Sequence, residues 1–394
     1  MSLRIAMALA TALFTAPAMA TPPAGGVYVI VNAHDPSQFN IVRSAIRKPG
    51  ADGLLIHLRW DKISDGYMHY KWTALDSAIA IATAQNKRFE IGILTDGALP
   101  AWVIDPSQGN AAHASFENNA TVGKGCQTLV IAAPYDDAYL GAFRDLLAKL
   151  AAHLHGANTY ASLSMIKLSG MTTTTDEMRL PALDTCVKPA QDQTLAIWQS
   201  LGYTPGKVRS AWDSMLHAYL NNFPDKSFNI GFIGINAFPG IRSNGTIAPK
   251  DEREQLSGKL AATLIADAGR LMPARIALGF DSLILTPGPN TTSYQTSLAA
   301  FYADAGGAGA RLGWQTNELL GAPPGGGAAC TYNANGTPQA CNQQQFHDML
   351  FLGIYPDGKA NTPPDRQGMY LELFPQNVNS WPGDVKAADA NLLE

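Results

Sequence analysis

The chain has 394 residues, 28 of them Lys or Arg against 32 Asp or Glu, for a net charge of −4. Hydrophobic residues make up 46% of it and charged residues only 15%, enough to bury a sizeable core. No basic patch or stripe stands out of the kind that nucleic acid or an anionic membrane surface attracts, so no nucleic-acid partner is expected.

Residues 1 to 20 read as a signal peptide: "MSLR" is a positive start, "IAMALATALFTA" an apolar run, and Ala18-Met19-Ala20 a cleavage site. The apolar run is shorter than the roughly 20 residues of a spanning helix. No later stretch reaches that length, so the mature chain, residues 21 to 394, is expected to be secreted or periplasmic with no membrane span. Cys126, Cys186, Cys330 and Cys341 form an even set with no C-x-x-C or zinc spacing, which in an exported chain favours disulfides. Two bridges are expected, Cys330 with Cys341 across a short loop and Cys126 with Cys186 between two long ones.

From "GGVYVIVNAHD" onward, strand-like and helix-like segments alternate. The strand at the start is followed by the helical "FNIVRSAIRK", then "GLLIHLRWD", "WTALDSAIAIATAQ" and "RFEIGILTDG". After a long loop, "AYLGAFRDLLAKLAAHL" precedes the fourth strand, "SLSMIKLSGM". Helical residues 191 to 222 lead to "FNIGFIGINAF", and "EQLSGKLAATLIADAGRL" leads to "RIALGFDSLIL". "SYQTSLAAFYADAG" precedes "ARLGWQTNE", and "QQQFHDMLFLGI" precedes "GMYLELF". Eight β/α units predict a single (β/α)8 TIM barrel rather than an open doubly wound sheet. No G-x-G-x-x-G follows the first strand, and neither a Walker A motif nor a G-x-S-x-G elbow occurs. Residues 104 to 135, 172 to 190 and 321 to 341 read as long βα loops on the catalytic face.

Side chains at the C-terminal strand ends of such a barrel converge on one mouth. They include Asn32 and His34, Arg59 and Trp60, Asp96, Asn236, Asp281, and Glu318, where "RLGWQTNELLG" stops its strand on a carboxylate. Asp176 and Glu177 follow the fourth strand. Alternation in "MYLELF" turns Leu371 and Leu373 toward the helices and Glu372 into the barrel, where it needs Arg59, Lys167 or a substrate hydroxyl as partner. Two facing carboxyl groups are the minimal equipment for glycoside hydrolysis. The bland readings are a helix-capping Glu318, a solvated Glu177, an Arg59 paired with Asp61 or Asp96, and core aromatic roles for Trp60, Trp102 and Trp314.

An acid/base glutamate after strand four and a nucleophilic glutamate ending strand seven resemble the clan A glycoside hydrolases. Residues 59 to 103, "RWDKISDGYMHYKWTALDSAIAIATAQNKRFEIGILTDGALPAWV", are similar to the corresponding region of family 42 β-galactosidases, with its strand-two Trp, its Y-x-W-x-x-L-D helix start and its P-x-W. The resemblance implies Glu318 as nucleophile, Glu177 as acid/base and Arg59 as support for the nucleophile. Trp60, Asp96, Asn236, Trp314 and Glu372 would then contact a carbohydrate substrate in a retaining reaction that uses no metal or organic cofactor. The clan's Asn before the acid/base is Asp176 here, which makes Asp176 the substitute for Glu177 and a non-catalytic carbohydrate-binding barrel the alternative reading.

Overall fold

The computed structural model describes residues 23–95, 97–118, 127–171, 177–182, 192–232, 234, 236–285, 291–317, 319, 327–333, 337–355 and 367–393. Asp96, Cys126, Asp176, Cys186, Glu318 and the expected signal peptide lie outside these residues.

Eight strands close into a parallel barrel: β1 (Gly26–Asn32), β2 (Gly53–Arg59), β3 (Arg88–Leu94), β4 (Leu163–Lys167), β5 (Ser227–Phe232), β6 (Ile276–Leu283), β7 (Arg311–Thr316) and β8 (Gly368–Leu373). They neighbour one another in chain order, and β1 seals the ring against β8 through Val27↔Leu371 and Tyr28↔Glu372. This is the TIM-barrel class expected from the alternation. The helices between successive strands include α1 (Phe39–Ala45), α2 (Thr73–Thr83), α3 (Asp137–Gly156), α4 (Pro205–Asn222), α5 (Lys250–Leu271), α6 (Thr291–Ala308) and α7 (Gln343–Ile354). Two more, α8 (Pro375–Ser380) and α9 (Pro382–Asp389), close the chain.

Local chemistry sets the helix starts. Asp136 caps α3 by accepting from the amides of Ala138 and Tyr139, and Asn342 with Gln345 forms a reciprocal capping box on α7. Thr204 caps α4, whose first residue, Pro205, has the fixed φ that suits that position.

Each strand buries one apolar row against the helices, as Phe89, Ile91 and Ile93 do on β3, and turns the other row inward. Two buried tyrosines fill part of the interior, and glycines make room for them. A Cβ at Gly313 would lie 1.7 Å from the Tyr370 ring, and one at Gly53 would lie 2.7 Å from the Tyr28 ring.

Two of the stretches read as loops contain hairpins. His113–Asn118 pairs antiparallel with Gln127–Ala132 after β3, and Ala329–Tyr332 pairs with Pro338–Ala340 after β7. The second carries the expected Cys330–Cys341 disulfide. Residues 191 to 222 are not one helical run, since Gln193–Ser200 stops before Gly202, whose φ of +71° breaks the helix ahead of α4.

Candidate active site

A polar floor lies inside the barrel, built from inward-facing residues of six strands. Lys167, the last residue of β4, places its Nζ 2.8 Å from Glu372 Oε2 on β8, 3.4 Å from Gln315 Oε1 on β7 and 3.9 Å from Asp281 Oδ1 on β6. The amide of Asn229 on β5 donates both to Glu372 Oε1 at 3.1 Å and to Glu90 Oε1 on β3 at 3.0 Å. Lys167, Glu372, Glu90 and Asn229 are all fully buried. The lysine and the amide both hydrogen-bond Glu372, which offsets the desolvation of its carboxylate. Beside them, burial and then the neighbouring carboxylates push the Tyr370 phenol well above its ordinary range, so it stays neutral.

Glu372 thus points into the barrel and takes Lys167 as a partner. The barrel order puts β8, rather than β7, diametrically opposite β4, which is why the lysine reaches Glu372 across the interior. Glu90, Asn229 and Gln315 were missed by a reading restricted to strand ends. Their signal is the inward row itself, where "RFEIGIL" and "FNIGF" alternate large apolar residues with Glu and Gly or with Asn and Gly.

Around this floor stands the rim. Arg59 ends β2 and makes two 3.0 Å hydrogen bonds to Asp61, with a third at 3.2 Å to the carbonyl of Gly97. That is the ion pair of the bland reading, and it leaves the arginine partly open to solvent. His34, just past β1, is held below its ordinary pKa mainly by burial, with Arg59 acting in the same direction against Asp61. It is therefore neutral near pH 7. Asn236, after β5, is exposed.

Glu177 is not a solvated loop charge. It pairs in a parallel bridge with Gly231 near the end of β5, and the next amide, Met178 N, donates to Gly231 O at 2.9 Å. The residue is 5% exposed. Seven residues after Gly170 the chain has thus returned to the sheet, on the same barrel end as Arg59. Glu318 and its proposed relation to Arg59 lie outside the described residues, as do Asp96 and Asp176. The neighbours of Glu318 are described: Asn317 donates its amide to Leu283 O on β6, and Leu319 donates to Gly327 O.

Two of the candidate sugar-stacking rings are core residues. Trp60 is fully buried against Trp102, Tyr139 and Phe143, and Trp314 packs between Phe280 and Phe301 on the helix side of β7. Strand alternation explains the second, since Gly313 and Gln315 take the inward positions. Trp102 is buried as well, its indole N–H bonded to Ser64 Oγ at 2.7 Å, while Tyr67, 47% exposed, rests edge-on against it.

No group of three or more His, Cys, Asp or Glu suited to a metal occurs among the described residues, and none of their helices is long and apolar enough to cross a membrane. No protein-family model matches the chain, and no curated protein matches it in sequence. Among solved structures, xylanase 10B from Thermotoga petrophila RKU-1, in complex with xylobiose, is 10% identical over 89% of this chain and 82% of its own, with a TM-score of 0.46. The β-galactosidase from the psychrophilic Marinomonas ef1 is 10% identical over 93% of this chain, with a TM-score of 0.52. The match covers 59% of that galactosidase's own length. What this chain shares with the galactosidase at that identity is the fold, an eight-stranded parallel barrel ringed by helices.

Proposed function

We propose that the chain is an exported glycoside hydrolase of the clan A type that works with retention of configuration. Glu177 protonates the glycosidic oxygen as Glu318 attacks the anomeric carbon, so the C–O bond to the leaving group breaks as the ester bond to the enzyme forms. Glu177, now ionised, takes a proton from water. The resulting hydroxide equivalent displaces Glu318 and restores both carboxyl groups. Arg59 supports the anionic nucleophile, and no metal or organic cofactor is required.

The observation that carries this reading is the seat of Glu177 beside Gly231, a carboxyl group largely shielded from water at the barrel end where Arg59 also stands. Shielded carboxyl groups at a barrel mouth are the kind that general-acid catalysis uses. A panel of aryl glycosides with varied sugars tests it. On any substrate the wild type cleaves, Glu177→Gln should spare aryl groups that leave without protonation and cripple those that need it. If Glu177→Gln behaves as wild type while Asp176→Asn shows that pattern, the acid/base assignment moves to Asp176. Absence of turnover on every sugar, with glycan binding retained, would favour the non-catalytic carbohydrate-binding barrel.

A further inference from the structure

Tyr370 lies in a trough inside the barrel. Its floor is made by Gly313 on β7 and Gly279 on β6, which are register neighbours and offer no side chain to the ring. A Cβ at Gly313 would strike the ring, and one at Gly279 would meet the Tyr370 hydroxyl first, then Asn229 Oδ1 at 3.1 Å and Asp281 Oδ1 at 3.6 Å. Three oxygens from β8, β5 and β6 therefore face one notch. Tyr370 and Asn229 are both fully buried, and neither the phenol oxygen nor Asn229 Oδ1 has a hydrogen-bond partner among the described residues. The phenol oxygen comes nearer to that point than the 3.1 Å of Asn229 Oδ1, so both lie within reach of one water, whose paired hydrogen bonds of about 2.8 Å span roughly 5.6 Å.

We infer that the notch at Gly279 binds one structural water, which accepts from the Tyr370 hydroxyl and donates to Asn229 Oδ1 and Asp281 Oδ1. The donor and acceptor roles on the protein side are fixed. Asn229 commits its nitrogen to Glu372 and Glu90, so its oxygen is the end left to accept. The phenol keeps its proton, because burial and the surrounding carboxylates oppose its ionisation, so it brings a donor. One donor and two acceptors are the complement of a buried water, which makes about three hydrogen bonds. A cation would take only the phenol's lone pairs and leave its O–H unmade, and the Lys167 amine, 3.9 Å from Asp281 Oδ1, would repel it. A phenylalanine would fill the same trough without desolvating a hydroxyl, so the hydroxyl at this position requires a partner. The water ties β8 to β5 and β6 without opening the floor to solvent, and it does not depend on the proposed hydrolysis.

The experiment has three arms on the full-length protein. A high-resolution crystal structure of the wild type should show one water within hydrogen-bond distance of both Tyr370 Oη and Asn229 Oδ1; a protein group in its place, or no density there, would overturn the inference. Magnetic relaxation dispersion of the solvent counts waters that stay bound long enough to tumble with the protein, and Tyr370→Phe should lose one of them. A folded Tyr370→Phe with an unchanged count would overturn it, and the crystal arm decides on its own should the variant fail to fold. Exchanging sodium for choline at constant ionic strength should leave the thermal midpoint unchanged. A midpoint that rises with sodium in the wild type and not in Tyr370→Phe would place a cation in the notch and overturn the assignment to water.

Discussion

Lys167 and Arg59 are both cations at strand ends that pair with carboxylates, yet the Lys167 side chain is 0% exposed and that of Arg59 is 34% exposed. The floor residue is held by strands on opposite sides of the barrel and the rim residue by its own chain two positions on. The contrast separates two uses of the same chemistry. A charge sealed in the interior fixes the barrel's closure, since its partners are unreachable by solvent, whereas a charge at the rim can exchange its partner for a substrate at small cost. Glu177, the described candidate reacting group, belongs to the barrel end that carries Arg59, on a segment that leaves the sheet and returns to it.

The sharpest way to break this comparison is to remove one partner at the floor. Lys167→Met should destabilise by about 3–5 kcal/mol, because the Glu372 carboxylate loses its cation in a buried setting. Lys167→Met/Glu372→Leu should recover much of that loss in urea unfolding. A single-variant loss below about 1 kcal/mol would mean that the floor is wetter than its burial implies. Next in size is Gly313→Ala, whose methyl group would enter the Tyr370 ring; overpacking of this kind costs about 1–3 kcal/mol, measured as a lower midpoint at unchanged slope.

The end of the barrel opposite the mouth gives a pH-dependent contrast. Burial, followed by a hydrogen bond and charge repulsion from Asp52, raises Asp389 on α9 from 3.8 to about 7, against the smaller opposing pull of Lys87. Asp304 on α6 is raised to about 6 by burial. Both groups keep their protons in the folded protein at pH values where the unfolded chain has lost them. Their contribution is therefore present below pH 4, declines between about 4 and 7, and is absent above. Asp389→Asn should flatten that decline in denaturation midpoints taken across the window, and an unchanged slope would remove Asp389 as a cause. The smallest effect is expected at the exposed Lys71–Asp65 pair, 2.6 Å long. Lys71→Met should change stability by no more than about 1 kcal/mol.

The barrel was legible in the sequence because its signal is redundant: eight apolar runs, each followed by a helix-like run, point to the same closure. Glu372 was legible for the same reason, since strand alternation has no freedom once Leu371 and Leu373 face the helices. The errors came where packing chooses between readings that local pattern leaves equal. Trp314 and Trp60 read equally well as platforms or as core, and only their neighbours Phe280, Phe301, Tyr139 and Phe143 decide. The return of Glu177 to β5 depends on one backbone bridge to Gly231, which no periodicity announces. The hairpins after β3 and β7 bury Phe116, Ile131 and Cys330, and their pairing is likewise a tertiary choice.

The most direct test of the account is the rate of aryl glycoside hydrolysis by wild type and by Glu318→Ala, each with and without added azide. The account predicts turnover by the wild type, a loss of several orders of magnitude in the variant without unfolding, and recovery by azide to give a glycosyl azide of inverted configuration. Near-normal turnover by Glu318→Ala on a substrate that the wild type cleaves would contradict it.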